Sequence, residues 1–515
     1  MCDQLRADYL STYGGAIPMP NLDRLAHRGV RFDKAYVSSG VCGPSRISYY
    51  CGRYPVSHRV TWNRVPLPID EKMLGHYLAE GGMRAHLLGK THFVPDHKGL
   101  AAAGYTLDAR HRMLFDEGGF DAVERYDGHF ELEAHSPYRQ YLIERGYQSE
   151  RPWTDYVIGS LAPDGSLASG WLLRNAGLPA RVRAEDSETA YLTTRAIEFM
   201  QQQGDQRWML HLSYIKPHWP TKAPAPYHNM FGVEDCATPV RDAAERNNPH
   251  PVFGAYQQLE ESITFAGEEA WRTVRPVVMG LARQIDDELG RLFEHMQSSG
   301  RLDDTLIIFS SDHGDLAGDH WLGEKEYFYE PVMRVPLIIA DPRTNANATR
   351  GSAEQRFVET IDVLPTILDA LGMQEVLTQA AQRIEGHSLL PLLHAEPIGA
   401  WRDCVFGQLD YAYRQARQFL KRAPDECNGT MVRDGRYKYI HWQGYRGQLF
   451  DLLNDPNELH DLGADAGYTP VCLEMQQRLF EWLRTRKRRT TETYQQVDAR
   501  THAHERMMGI QIGKW

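Results

Sequence analysis

The sequence predicts an α/β protein with a mainly parallel central sheet flanked by helices, followed by a small α+β domain made of an antiparallel sheet plus one helix. Three observations carry this expectation. Short apolar runs bounded by turn or polar residues recur along the first part of the chain. Amphipathic helical patterns lie between them, the alternation expected of a parallel sheet covered on both faces. Beyond about residue 401 the segments shorten and alternate with turns.

Each element has its own signal. Residues 84–89 (RAHLLG), 208–214 (WMLHLSY), 305–310 (TLIIFS) and 335–340 (VPLIIA) read as buried parallel strands. Residues 21–29 (NLDRLAHRG) form a helix with an Asn cap and a closing glycine. Residues 187–203 are amphipathic, and 274–299 place apolar residues at three- and four-residue spacing. Residues 359–372 (ETIDVLPTILDALG) end at a glycine cap. Later, 405–409, 429–433, 437–442 and 448–452 are short strands separated by turns such as Asp434-Gly435, and a helix follows over 471–485. The last thirty residues are basic, then polar, and end in GIQIGKW; they read as an arm. The expected division is an α/β domain over 1–398, the small domain over 399–485 and the arm over 486–515. Met1-Cys2-Asp3-Gln4 runs straight into a polar, helix-like stretch, so the first strand is expected to be cut short, with the chain beginning inside it.

Composition narrows the function classes. The chain has 515 residues, 42% hydrophobic and 24% charged, the profile of a folded protein rather than a disordered one. A net charge of −11 argues against a general nucleic-acid binder but allows a local basic pocket for a small anion. The seven cysteines are odd in number, widely spaced and free of CxxC, which argues against a disulfide framework or a structural zinc knuckle. No apolar run approaches membrane-spanning length and no secretory leader pattern opens the sequence, so a cytoplasmic location without membrane contact is expected.

Two clusters carry chemistry. In residues 41–46 (VCGPSR), Gly43 and Pro44 make a turn that places Cys42 at the head of a helix over 45–52. A helix N-terminus favours an anion, and Arg46 adds a fixed cation on the same side. The bland reading is an inert packed cysteine. In residues 310–315 (SSDHGD), a carboxylate and an imidazole directly follow an apolar strand, at the sheet edge where open α/β sheets bind ligands. There the bland reading is an Asp cap beside a satisfied histidine.

Taken together, C-x-P-S-R at Cys42 and the later SSDHGD resemble the sulfatases and the related phosphonate monoester hydrolases of the alkaline phosphatase superfamily. The resemblance covers most of residues 1–480, including NLDRL at 21–25, Arg334-Val335-Pro336 and the late LFDLLNDPNELHDL. It implies an alkaline phosphatase-like fold. It also implies that Cys42 is oxidised to formylglycine by a formylglycine-generating enzyme, that the aldehyde hydrate attacks, and that its second hydroxyl later expels the product. Arg46 would steady the hydrate. Asp3, Asp312 and His313 would bind one divalent metal ion, with manganese or calcium favoured by the donor set and magnesium or zinc as alternatives. His313 and the pair Asp3-Gln4, where typical arylsulfatases carry two acids, resemble the phosphonate monoester hydrolases and choline sulfatases. Gln4 is counted with the substrate-binding residues, and so is Asn63.

The same resemblance assigns Gly89-Lys90-Thr91-His92 and Pro217-His218-Trp219-Pro220 to the site. Lys90 would bridge nucleophile and anion, and His92 would assist deprotonation in product release. His218 would hold the anion and protonate the leaving oxygen, and Lys325 would neutralise leaving-group charge. Lys90 and His92 favour a sulfate ester, whereas Asp3-Gln4, VCGPSR and the C-terminal tail favour a phosphonate. The expected function is therefore sulfuric ester hydrolysis of an arylsulfatase-like kind. Phosphonate monoester or phosphodiester hydrolysis, alone or in overlap, is the runner-up, and an inactive anion-binding relative is the alternative of another class. A small ester as ligand and a homo-oligomer, dimer or tetramer, joined through the arm complete the implied partners. Loops 98–119 and 134–183 are the candidates for recognising the organic group, and their aromatic residues, including Tyr138, Tyr141 and Trp153, either line a pocket or merely pack.

Overall fold

The computed structural model describes residues 1–128, 136–487 and 489–501. Its centre is a mixed sheet. The strands are β1 (Val30–Phe32), β2 (Ala85–Gly89), β3 (Asp121–Arg125), β4 (Met209–Ser213), β5 (Ile307–Ser310), β6 (Leu337–Ala340) and β7 (Ser352–Glu354). One half has the order β7-β1-β6-β5 and the other β3-β2-β4. Residues 1–3 join the halves. Cys2 bridges Ser311 and Asp3 bridges Pro217, both in parallel. The Met1 ammonium donates to the Leu212 carbonyl at 2.8 Å, and the Cys2 N–H donates to the Ser310 carbonyl at 2.9 Å. Asp3 thus stands at the sheet's ligand-binding edge, between the ends of β4 and β5.

The strands expected from apolar runs are present, with one correction. Residues 335–340 do not form a parallel strand: β6 runs antiparallel to both β5 and β1. The reason is connectivity. The chain leaves β5 at the site edge, builds a long loop there and re-enters the sheet from the same edge, which reverses the next strand. Three strands lacked a readable signal: β7 has only three residues, none fully buried. β1 is short, and β3 (DAVER) carries three charges in five residues and is only partly buried.

Alternate strand residues feed opposite cores. Leu87, Leu337 and Ile339 join a cluster with helix α2 (Cys42–Cys51) and the helix Val363–Ala370. Leu88 and Ile338 join a second cluster with α1 (Pro20–Arg28), α3 (Glu188–Gln203) and α4 (Glu268–Ser298). Helix α4 begins six residues before the expected 274, because Gly267 at its N-cap rather than Val274 sets the start and Pro276 is accommodated inside. Beyond residue 400, β8 (Val405–Asp410), β9 (Asn428–Arg433), β10 (Tyr437–Trp442) and β11 (Gln448–Asp451) form the antiparallel sheet, covered by the helix Thr469–Arg484. Lys438 of β10 is fully buried between Glu330 and Glu458, at 2.9 and 2.7 Å, which ties this sheet to the loop that returns from the site.

The residues that open the expected arm lie against the α/β part. Lys487 Nζ donates to the Ala381 carbonyl at 2.7 Å, and Arg53 donates to the Lys487 carbonyl at 2.9 Å. A short helix follows at Tyr494–Arg500. The GIQIGKW terminus lies outside the described residues, as do positions 134 and 135 of the second candidate loop. No helix among the described residues is long and apolar enough to cross a membrane.

Candidate active site

Helix α2 begins at Cys42 itself, three residues earlier than the sequence suggests. Gly43 and Pro44 form its first turn and not a turn before it, since proline there sacrifices an N–H that a helix start leaves without an intrahelical partner. The Gly43 N–H is taken by Asn63 Oδ1 at 2.7 Å, so Asn63 serves as a remote cap. All ten helix residues are buried. Positions 42, 45, 46 and 49 share one face, and that face meets the loop after β5. Ser45 Oγ donates to the Asp312 carbonyl at 2.5 Å, and Tyr49 donates to the Ser311 carbonyl at 2.7 Å.

At the head of this helix four ligand-type side chains converge. Asp3, Cys42, Asp312 and His313 are all buried, and their ligand atoms lie within 4.8 Å of one another. His313 Nε2 is 3.1 Å from Cys42 Sγ, 3.8 Å from Asp3 Oδ1 and 3.7 Å from Asp312 Oδ1. Spacings of this size are the edges expected of a polyhedron whose ligands stand about 2.0–2.5 Å from a central ion. The His313 ring is oriented for it: Nδ1 donates to the Gly314 carbonyl at 2.8 Å, directing Nε2 inward. Although burial opposes it, Asp312 and Cys42 push the His313 imidazole up to about 9, so the surroundings attract positive charge. The donor set thus fits a divalent cation. Gly314 makes the turn feasible, since a Cβ there would lie 1.8 Å from the Pro331 carbonyl oxygen.

Arg46 organises the carboxylates. Its Nε bonds Asp312 at 2.7 Å and its Nη2 bonds Asp3 at 3.1 Å, while Nη1 donates to the Lys90 carbonyl and Ser213 Oγ, each at 2.8 Å. Lys90 Nζ lies 2.5 Å from the same Asp3 oxygen, Oδ2, that Arg46 bonds. Burial would raise the Asp3 carboxyl, but Lys90, His218, Arg46 and Lys325 hold it well below the usual carboxylate range. Lys325 donates to Gln4 Oε1 at 2.9 Å. His218 Nδ1 donates to the Trp219 carbonyl at 2.6 Å, and burial followed by Lys325 holds this imidazole well below its usual value, hence neutral. His92 is depressed in the same way, by burial and then by Lys90 and Arg46. Asp3, Gln4, Cys42, Arg46, Lys90, His92, His218, Asp312, His313 and Lys325 are therefore linked at one sheet edge by direct bonds or by mutual fields, with Asn63 touching it through Gly43.

Several participants escaped the sequence reading. Ser213 closes β4 and holds Arg46. Asp127, just after β3, accepts the N–H groups of Thr91 and His92 at 3.0 and 3.2 Å. It fixes His92 at φ +56°, a left-handed conformation that a histidine adopts at a cost. Asp127→Ala is expected to speed amide exchange at Thr91 and His92 by roughly ten-fold or more, the equivalent of a lost cap, while Asp127→Asn keeps most of the protection through its amide oxygen. Exchange measured on the peptide carrying both amides checks this. Equal rates in the parent and the alanine variant would remove Asp127 from the role. By contrast, Tyr138, Tyr141 and Tyr147 turn away from the site and gather on Asp186 at 2.7–2.9 Å, and Trp153 donates to Glu188 at 2.9 Å.

Comparison with known proteins places this geometry. The family model described as Sulfatase matches residues 1–373, and one described as N-sulphoglucosamine sulphohydrolase, C-terminal, matches residues 318–485. The chain is 31% identical to the multifunctional alkaline phosphatase superfamily protein PehA of Trinickia caryophylli, over 96% of each chain. It is 25% identical to an arylsulfatase of Clostridium perfringens, over 90% of this chain and 89% of the other. Among solved structures it resembles the phosphonate monoester hydrolase SpPMH of Silicibacter pomeroyi, with a TM-score of 0.82, 28% identity and coverage of 95% and 96% of the two chains.

Proposed function

The chain belongs to the sulfatase family, and on that premise we propose that it is a metal-dependent sulfuric ester hydrolase of the arylsulfatase-like kind, using a formylglycine derived from Cys42. The observation that carries this reading is the buried Asp3, Cys42, Asp312 and His313 cluster at a helix head, with Arg46, Lys90 and Lys325 beside it. Such a concentration of positive charge suits a tetrahedral anion whose charge shifts during ester cleavage.

A divalent ion held by Asp3, Asp312, His313 and the modified Cys42, manganese or calcium by preference and magnesium or zinc as alternatives, would neutralise non-bridging oxygens as a Lewis acid. Formylglycine, once formed by its maturation enzyme, would supply one hydroxyl for attack and a second for product release. The remaining steps belong to the chain's own side chains. Arg46 holds and aims both carboxylates. Lys90 bridges the metal-binding carboxylate and the bound anion. His218 and Lys325 meet the leaving oxygen, Lys325 as a fixed charge and His218 as the proton donor once the bound anion has drawn a second proton onto its Nε2, since Nδ1–H is held by the Trp219 carbonyl. His92, held by Asp127, takes the proton that product release requires.

The likeness to a phosphonate monoester hydrolase supports a second reading, hydrolysis of phosphonate monoesters or phosphodiesters in the same site. Matched aryl sulfate and aryl phosphonate esters separate the two. The expected result is turnover of both, with the higher kcat/KM for the sulfate. A chelator should lower both rates on the order of 100-fold, restored by manganese or calcium. No turnover by matured, metal-loaded protein would leave only the inactive anion-binding reading. The assembly expected is a homo-oligomer joined through the arm. Gel filtration of a chain ending at residue 488 tests it, and an unchanged oligomer would remove the arm from the interface.

A further inference from the structure

We propose that Arg414 is a positioning residue for ester cleavage: it holds the loop that carries Lys325, and so sets how well Lys325 neutralises the leaving oxygen. The proposal rests on the ester-hydrolase reading above and adds to it a residue from outside the sheet edge.

Lys325 reaches the centre through its hydrogen bond to Gln4, and its ammonium lies 3.8 Å from Glu324. A lysine stem is flexible, so the backbone beneath it must fix where the charge stands. The next residue, Glu326, adopts φ +92°, in the left-handed region that a side chain enters at a cost. Such a conformation persists only where its surroundings over-determine it. Two contacts supply the restraint. The loop packs on the helix Glu260–Ala266, where a Cβ at Gly323 would lie 2.2 Å from the Glu261 carbonyl oxygen. Arg414 then pins the far side of the loop: its Nε is 2.9 Å from Glu326 Oε2, and the same guanidinium pairs with the Glu261 carboxylate. One cation thus ties the turn after Lys325 to the helix beneath it.

The charge of Arg414 is needed there. Glu326 is buried, and burial pushes its carboxyl up to about 7 even though Arg414 opposes the shift. Glu324 and Glu261 act on it in the same direction as burial. Without the guanidinium, Glu326 must take up a proton or turn towards water. Either change releases the left-handed turn beside Lys325.

Arg414 is itself anchored. It follows β8 and the turn Tyr411–Tyr413, and it stands at the N-cap of the helix Gln415–Phe419. Asp410 accepts the Thr61 hydroxyl at 2.7 Å, and the Tyr413 ring stacks on Trp62 with centres 5.8 Å apart at 12°. Thr61 and Trp62 lead into Asn63, the remote cap of helix α2. Residues 410–414 therefore brace both the helix of the proposed nucleophile and the lysine assigned to the leaving group.

The test uses the mature holoenzyme with 4-nitrophenyl sulfate and phenyl sulfate. A poorer leaving oxygen depends more on a neutralising charge. Arg414→Gln is expected to lower kcat/KM for the phenyl ester about 10-fold or more and for the 4-nitrophenyl ester less than about 3-fold. Lys325→Ala should change the two esters in the same sense. The double variant should be no slower on the phenyl ester than Lys325→Ala alone, because Arg414 acts through Lys325. Arg414→Lys, which keeps a charge near Glu326 but loses the fork to Glu261, should lie between parent and Arg414→Gln, and it decides the matter by the same ratio if the glutamine variant does not fold. Equal losses on both esters, or additive losses in the double variant, would overturn the positioning role and leave the ester-hydrolase reading standing. No turnover of either ester by the parent would overturn both.

Discussion

Replacing Cys42 with alanine is expected to lower kcat/KM for aryl sulfate and aryl phosphonate esters by on the order of 10⁴-fold or more, because a nucleophile is lost and not merely a contact. Folding should suffer little. The removed sulfur is a single buried atom, and its loss costs about 1 kcal/mol, a melting shift of a few degrees at most. Serine separates two ideas that alanine leaves joined. It supplies a hydroxyl in the same place but no aldehyde hydrate, so a sulfate ester formed on it has no neighbouring hydroxyl to expel the product. The serine variant should release at most about one equivalent of alcohol per site and then stall, the signature of a covalent step without turnover. Mass spectrometry of the tryptic peptide over residues 35–46 gives the independent readout: loss of the sulfur and gain of a carbonyl in protein from its natural host. An intact thiol together with full activity would sink the formylglycine mechanism and leave the fold untouched.

The prominence of Cys42 in the sequence has a physical basis, and so does the obscurity of its partners. A buried parallel strand must be apolar through its length, so a polar residue immediately after it marks the sheet edge. Lys90 and the Asp312-His313 pair stand in that position after β2 and β5. Asp3 was placed by the resemblance, and the two-sided bridging of residues 1–3 to Ser311 and Pro217 gives the structural reason for its position. What stayed illegible depends on three-dimensional coincidence. Ser213 and Asp127 act on residues 167 and 35 positions away through single bonds, and neither sits in a motif. β3 could not be read as a strand because its charges point into partly exposed surroundings. The direction of β6 was hidden because an apolar run has the same composition whichever way it runs. Whether the aromatic residues of the loop line a pocket or pack was open in the sequence for a related reason: a phenol group suits a carboxylate such as Asp186, which Tyr141 and Tyr147 bond, as well as it suits a pocket.

Arg46→Ala should be the most destabilising single change at the centre, costing about 3–5 kcal/mol and lowering the melting temperature on the order of 10 °C. The Arg46 side chain is 0% exposed, and so are those of Asp3 and Asp312. Removing the guanidinium leaves Asp312 without its arginine and Asp3 with Lys90 as its close cation, with only His313 3.7–3.8 Å from both, in a place that water cannot readily reach. It also withdraws donors from the Lys90 carbonyl and Ser213, the two groups that join the ends of β2 and β4. The carboxylates must then protonate or separate, and either outcome dismantles the proposed metal site. Arg46→Lys restores one positive charge but cannot supply the planar fork that reaches both carboxylates, so it should recover part of the stability and little of the activity. A saturating divalent ion should raise the melting temperature of the parent more than that of either variant, because binding to the folded state stabilises in proportion to affinity. An alanine variant that melts within about 2 °C of the parent, well inside the shift expected from a broken buried pair, would mean that the guanidinium is replaceable by solvent and that the three buried charges are not the unit described above.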